Sequence, residues 1–216
     1  MKYLLLALTL GAGQMTFAAN TGIDPTNLKL KVYKLAVSTS PLCTNLTTVI
    51  NESAPDYMDF LANPTLGSGL LSNGTYPCIV IEMSDQVKYL PDETSDGGNC
   101  DSSIEETLDV CSSGSSVLVD GTTTTCSSGD NKVAMYLSTT STSSGGSADA
   151  FNPPTTTNDA TKGFNLGSAL TVSGTSSAKF VVDGSGKVCD TNDGTCAGGG
   201  GGDCELAPPT FTFIQL

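Results

Sequence analysis

Short apolar runs alternate along most of the chain with stretches of Gly, Ser, Thr, Asn and Asp. Leu28, Leu30 and Val32 alternate with polar residues, which is the period-two pattern of a strand with one buried face. Comparable runs follow at residues 46–50, 76–83, 117–119, 133–137, 169–172, 180–182 and 211–216. Within residues 180–189, two such runs flank Asp-Gly-Ser-Gly, which predicts a hairpin. Helical periodicity is weak, and residues 55–61 are the best candidate for a turn or two of helix.

This pattern predicts an all-β fold, specifically an antiparallel β-sandwich with disulfide-bearing loops. A parallel sheet would need crossover helices, which the pattern lacks. Residues 138–160 are rich in Ser, Thr, Gly and Pro and contain almost nothing large and apolar except Phe151, so they predict a long flexible insert. We expect residues 19–216 to form a single domain that carries this Ser/Thr-rich insert. The alternative is that the insert is a linker between two domains.

The first residues are typical of a cleavable export signal. Lys2 provides a positive start, residues 4–12 are apolar, and Thr16-Phe17-Ala18 is a small-x-small ending. We therefore expect residues 1–18 to be a signal peptide. The apolar stretch is shorter than the roughly 20 residues that a spanning helix needs. The prediction is an exported protein without a membrane span, located in the periplasm, at the cell surface or outside the cell.

The chain contains eight cysteines: Cys43, Cys78, Cys100, Cys111, Cys126, Cys189, Cys196 and Cys204. An even number in an exported chain predicts disulfides. We expect Cys43 to pair with Cys78, because the loop after the first strand and the start of the Tyr76 strand can lie at one end of a sandwich. One bridge is expected within the next three cysteines, one within the last three, and one between these two groups. Zinc is the competing interpretation, but no Cys-x-x-Cys pair and no histidine are present.

The charge balance limits the partners. The chain has 22 acidic residues against 9 basic ones, a formal net charge of −13, and it contains no arginine. Such a chain repels phosphate backbones and lacks the usual bidentate base reader, so we expect no nucleic-acid partner. Anionic membrane surfaces are disfavoured for the same reason. A protein or glycan at the cell surface is the candidate partner.

Three segments occur in an order that carries a family resemblance: residues 28–37, then Asp59-Phe60-Leu61, then Gly-Thr-Tyr-Pro-Cys-Ile-Val-Ile-Glu at residues 74–82. They resemble a family of exported bacterial β-sandwich domains of unknown function. Residues 164–172 and 178–183 are similar to the last strands of that family, and the Gly-Thr-Tyr strand start is also found in transthyretin-like and adhesin-repeat modules. The resemblance implies a β-sandwich and no assigned activity. The eight cysteines and the Ser/Thr-rich insert depart from the family pattern.

The composition excludes most catalytic schemes. Without histidine there is no Ser-His-Asp or Cys-His arrangement and no zinc-binding HExxH helix, and the chain has no P-loop. A carboxylate pair for glycoside hydrolysis is the scheme that remains. The candidates for it are Glu82, Asp85, Asp92, Glu93, Glu105, Glu106 and Asp109. Because the chain has no tryptophan and only 6% aromatic residues to form a sugar platform, we expect no enzyme activity.

Calcium is the second role considered for these acids, since it binds carboxylate and carbonyl oxygens without histidine. Nine of the 22 acids lie in residues 82–109, where Asp92, Glu93, Asp96 and Asp101 are the candidate ligands. A second acidic cluster at residues 190–194 misses the EF-hand spacing. A turn closed by Cys189 and Cys196 is the alternative interpretation of that cluster. We expect no cofactor, with calcium as the one candidate.

These observations predict an exported, disulfide-stabilised binding or structural module of unknown ligand, which works by presenting surface. Residues 82–109 are expected to be its most distinctive exposed region. The first alternative is an adhesin or appendage subunit, in which the C-terminal strand could act as a donor strand. A closing strand of the protein's own sheet is the competing role for that segment. The second alternative is a carboxylate-dependent glycoside hydrolase.

Overall fold

The computed structural model describes residues 23–62, 71–92, 100–143, 145, 147–174, 178–190 and 204–215. Within these residues the chain forms β-strands and no helix, so the predicted all-β class is confirmed. The strands are β1 (Pro25–Ser38), β2 (Thr47–Asn51), β3 (Tyr57–Asp59), β4 (Gly74–Tyr76), β5 (Cys78–Ser84), β6 (Gln86–Pro91), β7 (Glu106–Asp109), β8 (Ser115–Val117), β9 (Thr123–Thr125), β10 (Lys132–Ser138), β11 (Phe164–Asn165), β12 (Leu170–Val172), β13 (Ala178–Asp183), β14 (Val188–Asp190), β15 (Cys204–Leu206) and β16 (Thr210–Gln215).

One large sheet organises the molecule, with strand order β11-β10-β5-β1-β6-β7 and with β2 and β3 also paired to β1. Its pairs are antiparallel except β10 with β11, which are parallel. Four two-stranded sheets accompany it: β12-β4, β13-β16, β14-β15 and β8-β9. The arrangement of these sheets as a two-layer sandwich stays a prediction.

The long strand β1 joins the two halves of the large sheet. Its N-terminal half pairs with β6 and β3, and its C-terminal half pairs with β5 and β2. The register shifts between Val32 and Lys34, which marks a bulge on the β5 side. A bulge adds a residue to one strand and bends it, and so lets one strand serve both halves.

The two faces of the sheet have different surroundings. Leu28, Leu30 and Val32 of β1 point into the main core together with alternate residues of β5 and β10, and we call this side the inner face. Phe151, Phe164, Leu166 and Phe211 from later parts of the chain belong to the same buried cluster. Burial of these apolar side chains is the main contribution to the stability of the sheet.

The opposite side, the outer face, is covered at one end by the segment that carries β8 and β9. A small cluster of Ala36, Val80, Ala134 and Tyr136 lies there, with Leu118 and Val119 packed against it. The Tyr136 hydroxyl donates to the carbonyl of Val117 at 2.8 Å, and the N–H of Ala134 donates to Ser116 Oγ at 2.8 Å. These bonds hold the covering segment against the sheet.

Disulfides tie the loops to the sheet. Cys43 pairs with Cys78 as predicted, which joins the loop after β1 to the start of β5. Cys111 pairs with Cys126, a local bridge within the middle group, and Cys100 pairs with Cys204, the predicted bridge between the two groups. Cys189 is also disulfide-bonded, and its expected neighbour Cys196 lies outside the described residues. The three bridges indicate an oxidising setting of the kind that exported proteins meet.

The Ser/Thr-rich insert is a long loop that packs into the core. Ala150 and Phe151 are buried, and the Phe151 ring meets that of Phe164 edge-on at 5.3 Å between centroids. The buried carboxylate of Asp159 accepts three backbone N–H bonds, from Thr155, Thr161 and Lys162, at 3.0 to 3.1 Å. Within the described residues, this insert therefore makes specific packing contacts and hydrogen bonds. Its composition alone did not predict them.

Asp159→Ala is expected to lower the melting temperature by several degrees at pH 7, because three backbone donors lose their charged acceptor. The backbone N–H of Thr155 and then those of Thr161 and Lys162 hold the pKa of Asp159 well below its usual range. A depressed folded-state pKa contributes stability above the unfolded pKa, near 3.9, and loses it as the pH falls below that value. The difference in melting temperature between the wild type and Asp159→Ala should therefore become smaller as the pH is lowered. A melting-temperature series from pH 7 to 2 tests this, and a constant gap contradicts it.

Most predicted strands are present, but two local predictions are wrong. The segment at residues 55–61 contains the strand β3 and no helix, because Tyr57 to Asp59 pair with β1. The predicted hairpin at residues 180–189 has its turn, yet β13 pairs with β16 and β14 pairs with β15. The turn packs on the start of β1 instead: an ideal Cβ on Gly184 would lie 2.9 Å from Pro25 Cγ. The C-terminal segment is a strand of the chain's own sheet, as expected.

Residues 82–109 do not form one exposed region. β5 ends and β6 runs within this segment, and Glu82 and Asp85 are fully buried. The segment was expected outside because it is acidic, whereas strand pairing places its first half inside the large sheet. Within the described residues, no helix is long and apolar enough to cross a membrane.

Candidate functional site

The uncovered part of the outer face collects lysine and tyrosine side chains. Lys29 and Lys31 point outward from β1 because Leu28, Leu30 and Val32, which alternate with them, are buried in the core. β6 and β10 run alongside in the same sheet and contribute one lysine each. We call the set the lysine–tyrosine face; its members are Lys29, Lys31, Tyr33, Lys34, Tyr57, Lys88 and Lys132. Five of the nine lysines of the chain are thus gathered on one face.

The bulge in β1 brings two consecutive residues to this face. Lys132 Nζ lies 4.2 Å from the centroid of the Tyr33 ring, and Lys34 Nζ lies 3.0 Å from Glu82 Oε1 on the neighbouring strand β5. Side chains next to each other along a regular strand point to opposite faces. The shift of register at Val32 and Lys34 is what allows both Tyr33 and Lys34 to contact outer-face partners.

Tyr57 lies across the face from β3. Its ring centroid is 4.8 Å from Lys88 Nζ and 5.8 Å from Lys31 Nζ, and its hydroxyl donates to the carbonyl of Gln86 at 3.1 Å. Both ammonium groups are within the range of cation–π attraction. The ring is half-buried, so a flat aromatic surface stands between two cations at the protein surface.

Lys29 and Lys88 are direct cross-strand neighbours in the pairing of β1 with β6. Like charges in that position repel. Glu105 lies between them: it accepts a hydrogen bond from Lys29, and its Oε1 lies 3.5 Å from Lys88 Nζ. The hydrogen bond from Lys29 and the charges of both lysines hold the pKa of the Glu105 carboxyl below its usual range. Glu105 thus allows two lysines to share one small area.

Glu82 anchors the other end of the face. It is fully buried; its Oε2 accepts from Lys34 Nζ at 3.1 Å and from the backbone N–H of Val119 at 3.2 Å, and Lys132 Nζ lies 3.9 Å from Oε1. The carboxylate therefore positions two lysines and the covering segment. Bound in this way, it is occupied by structural partners.

The face concentrates lysines within an acidic protein. Its five lysines form ion pairs with three carboxylates, those of Glu82, Glu105 and Asp130. Two further acids lie near the lysines: Asp59 is opposite Lys29 in the pairing of β1 with β3, and Asp120 is close enough to Lys34 for their charges to interact. The whole chain carries a formal charge of −13. The lysines are therefore concentrated locally, with an acidic partner beside each of them.

The other carboxylates proposed for hydrolysis each have a different environment. Asp85 is buried and accepts from the N–H of Asn131 at 2.8 Å and from Asn131 Nδ2 at 3.0 Å. Burial raises the pKa of Asp85, and the bonds from Asn131 partly offset this. Asp109 Oδ1 accepts the N–H of Cys111 at 3.0 Å, Glu106 is half-buried in β7 and Asp92 is exposed. Glu93 lies outside the described residues.

Only two of the four calcium candidates lie within the described residues. Asp92 and Asp101 are described, whereas Glu93 and Asp96 are not. Asp101 accepts from both the N–H and the hydroxyl of Ser103 at 2.8 Å, and these bonds lower its pKa. In the part of the chain that the structure describes, no group of three or more potential metal ligands occurs. In the second cluster, Asp190 is buried beside Cys100, and residues 191–194 lie outside the described part.

Sequence reasoning did not identify the lysine–tyrosine face. The alternation of Lys29 and Lys31 with buried leucines was visible, and Val87-Lys88-Tyr89 repeats it in β6. Those patterns could have predicted that Lys29, Lys31 and Lys88 point outward. They could not have indicated that β1, β3, β6 and β10 belong to one sheet, which only the pairing decides.

Comparisons with known proteins add no assignment. No family model matches the chain, and no curated protein and no solved structure matches it significantly. The resemblance to exported bacterial domains stays a prediction, and the function is argued from the geometry of the lysine–tyrosine face.

Proposed function

We propose that the protein is an exported binding module that uses the lysine–tyrosine face to hold a carboxylate-bearing glycan at the cell surface or in the periplasm. The observation that carries the proposal is the concentration of five lysines and two tyrosines on one sheet face of a chain with a net charge of −13.

A glycan with carboxylates suits both kinds of side chain. Lysine ammonium groups attract carboxylates, and the half-buried Tyr33 and Tyr57 offer an apolar ring beside a polar hydroxyl, which suits one face of a sugar ring. Strands of a sheet are about 4.8 Å apart, so cations on β1 and β6 can meet successive charges of an extended polymer. The rest of the acidic surface repels the polymer, which favours one mode of binding.

The same contacts argue for binding without turnover. Glu82 and Glu105, the two candidate carboxylates near this face, are each engaged by lysines. A hydrolase of this class needs one carboxylic acid and one free carboxylate on either side of the scissile bond. We therefore place the protein in the binding class. The donor-strand version of the appendage alternative loses support, since β16 pairs with β13 of the same chain.

The proposal predicts that Lys31→Gln/Lys88→Gln weakens binding to polygalacturonate at least tenfold, because both cations beside Tyr57 are removed. Calorimetric titration at low salt measures the affinity, which should also fall as salt is added. Lys162→Gln is a control, since it removes a lysine that follows the insert and leaves the face intact.

Three outcomes decide the proposal. Absence of binding to polygalacturonate by the wild-type protein rejects it. Equal loss in Lys162→Gln shows that net charge alone is responsible and also rejects it. Equal or tighter binding of poly-glutamate, with the same dependence on Lys31 and Lys88, replaces the glycan by an acidic protein segment. Neutral dextran should show no binding.

A further inference from the structure

A cavity of about 290 Å³ lies behind the large sheet, on its inner face. Leu30 of β1, Met83 of β5 and Met135 of β10 line it on the sheet side, and Phe151, Phe164 and Phe211 lie among the residues that line it on the other side. These side chains are all at least nine-tenths buried. The cavity thus lies between the sheet and the later part of the chain, and it is partly open to solvent.

The cavity is large for a space lined mainly by buried core residues. Cores are close-packed, and voids larger than a water molecule are few. Engineered apolar cavities of roughly 150 Å³ stay dry and take up benzene. The cavity here is about twice as large and mostly apolar, although it is partly open to solvent, so water in its apolar part would lack hydrogen-bond partners.

One wall carries a polar group. Among the described residues that line the cavity, the charged one is Asp109, at the end of β7. Its Oδ1 accepts the backbone N–H of Cys111 at 3.0 Å, which holds the carboxyl group in place. A carboxyl at the wall favours a ligand with a hydrogen-bond donor and disfavours an anionic head group.

We propose that this cavity is a binding site for an uncharged, largely apolar small molecule with one hydrogen-bond donor, such as a long-chain alcohol. The apolar body replaces missing packing contacts between the two sides of the core, and the donor is directed to Asp109. This site is on the opposite side of the sheet from the lysine–tyrosine face, and the two proposals stand or fall separately.

The probe for the test is N-phenyl-1-naphthylamine, which is apolar, carries one N–H and becomes fluorescent in apolar surroundings. Wild-type protein is expected to bind it saturably with one site per chain. Ala207→Phe extends a ring from the cavity wall into the space and should weaken binding at least tenfold. Ala54→Phe makes the same substitution at an exposed position and should bind as the wild type does. Leu108→Phe is a second filling variant, for use if Ala207→Phe does not fold.

Competition then tests the role of Asp109. Decanol should displace the probe, and decanoate of the same chain length should do so at least tenfold less well. Absence of saturable binding by the wild type, or unchanged binding in a folded filling variant, overturns the proposed site. Equal displacement by decanol and decanoate overturns the preference for an uncharged ligand with a donor.

Discussion

The double variant Cys100→Ala/Cys204→Ala is expected to lose about 4 to 5 kcal/mol of unfolding free energy, the largest effect of any single bridge described here. The two cysteines are 104 residues apart, and in the chain-entropy account a bridge of roughly 100 residues contributes about 4.7 kcal/mol. Cys100 is fully buried and belongs to the main core cluster, so the bridge also ties β15 to that core. Changing both partners avoids a free thiol that could exchange with the other bridges.

Cys111→Ala/Cys126→Ala is the matched control, since it removes a bridge across 15 residues, for which the same account gives about 3 kcal/mol. Denaturant unfolding under non-reducing conditions measures both variants against the wild type. A larger loss for the Cys111 and Cys126 variant than for the Cys100 and Cys204 variant would contradict the loop-length argument. In that case, local packing of the β8–β9 segment would contribute more to the unfolding free energy than the length of the loop that the bridge closes.

The variant Lys34→Met is expected to destabilise the protein by about 3 kcal/mol, because it leaves the fully buried Glu82 carboxylate without its nearest cation. Lys132, whose Nζ lies 3.9 Å from Glu82 and whose side chain is 42% exposed, is too distant and too hydrated to replace it. Lys132→Met therefore serves as the control, with an expected loss of about 1 kcal/mol or less.

A double-mutant cycle with Glu82→Met separates the ion pair from its surroundings. The double variant Lys34→Met/Glu82→Met should be more stable than Lys34→Met alone, since no buried charge is left unpaired. Urea unfolding of the four proteins gives the coupling free energy. A coupling near zero, or equal losses in Lys34→Met and Lys132→Met, would show that the Glu82 pair does not hold the outer face together.

Several features of the fold were accessible from the sequence. Strict alternation at Leu28, Leu30 and Val32 predicted a half-buried strand, because the side-chain period of a strand is two and needs no tertiary information. The pairing of Cys43 with Cys78 was accessible because both lie at ends of predicted strands. Local predictions were wrong where pairing overrode local pattern: β3 became a strand through contact with β1, and the turn after β13 packed on Pro25.

The candidate sites depend on contacts between distant parts of the chain. Lys34 and Glu82 are 48 residues apart, and Glu82 was counted among surface acids until the pairing of β5 with β1 and β10 placed it inside. The bulge at Val32 and Lys34 brings Tyr33 and Lys34 to one face, and no local residue pattern indicates it. The cavity results from the space that remains between separately packed elements, which is a property of their arrangement.

The sequence by itself determined the all-β class and the disulfide-rich character, because strand periodicity and cysteine content are properties of residues taken a few at a time. It also determined the acidic balance and the lack of histidine and arginine, which no fold can change. Only the tertiary structure decided which lysines share a face, which carboxylates are buried and where the cavity lies. These depend on strand order and register, and those are set by the packing of the whole chain, in which residues far apart in sequence compete for the same neighbours.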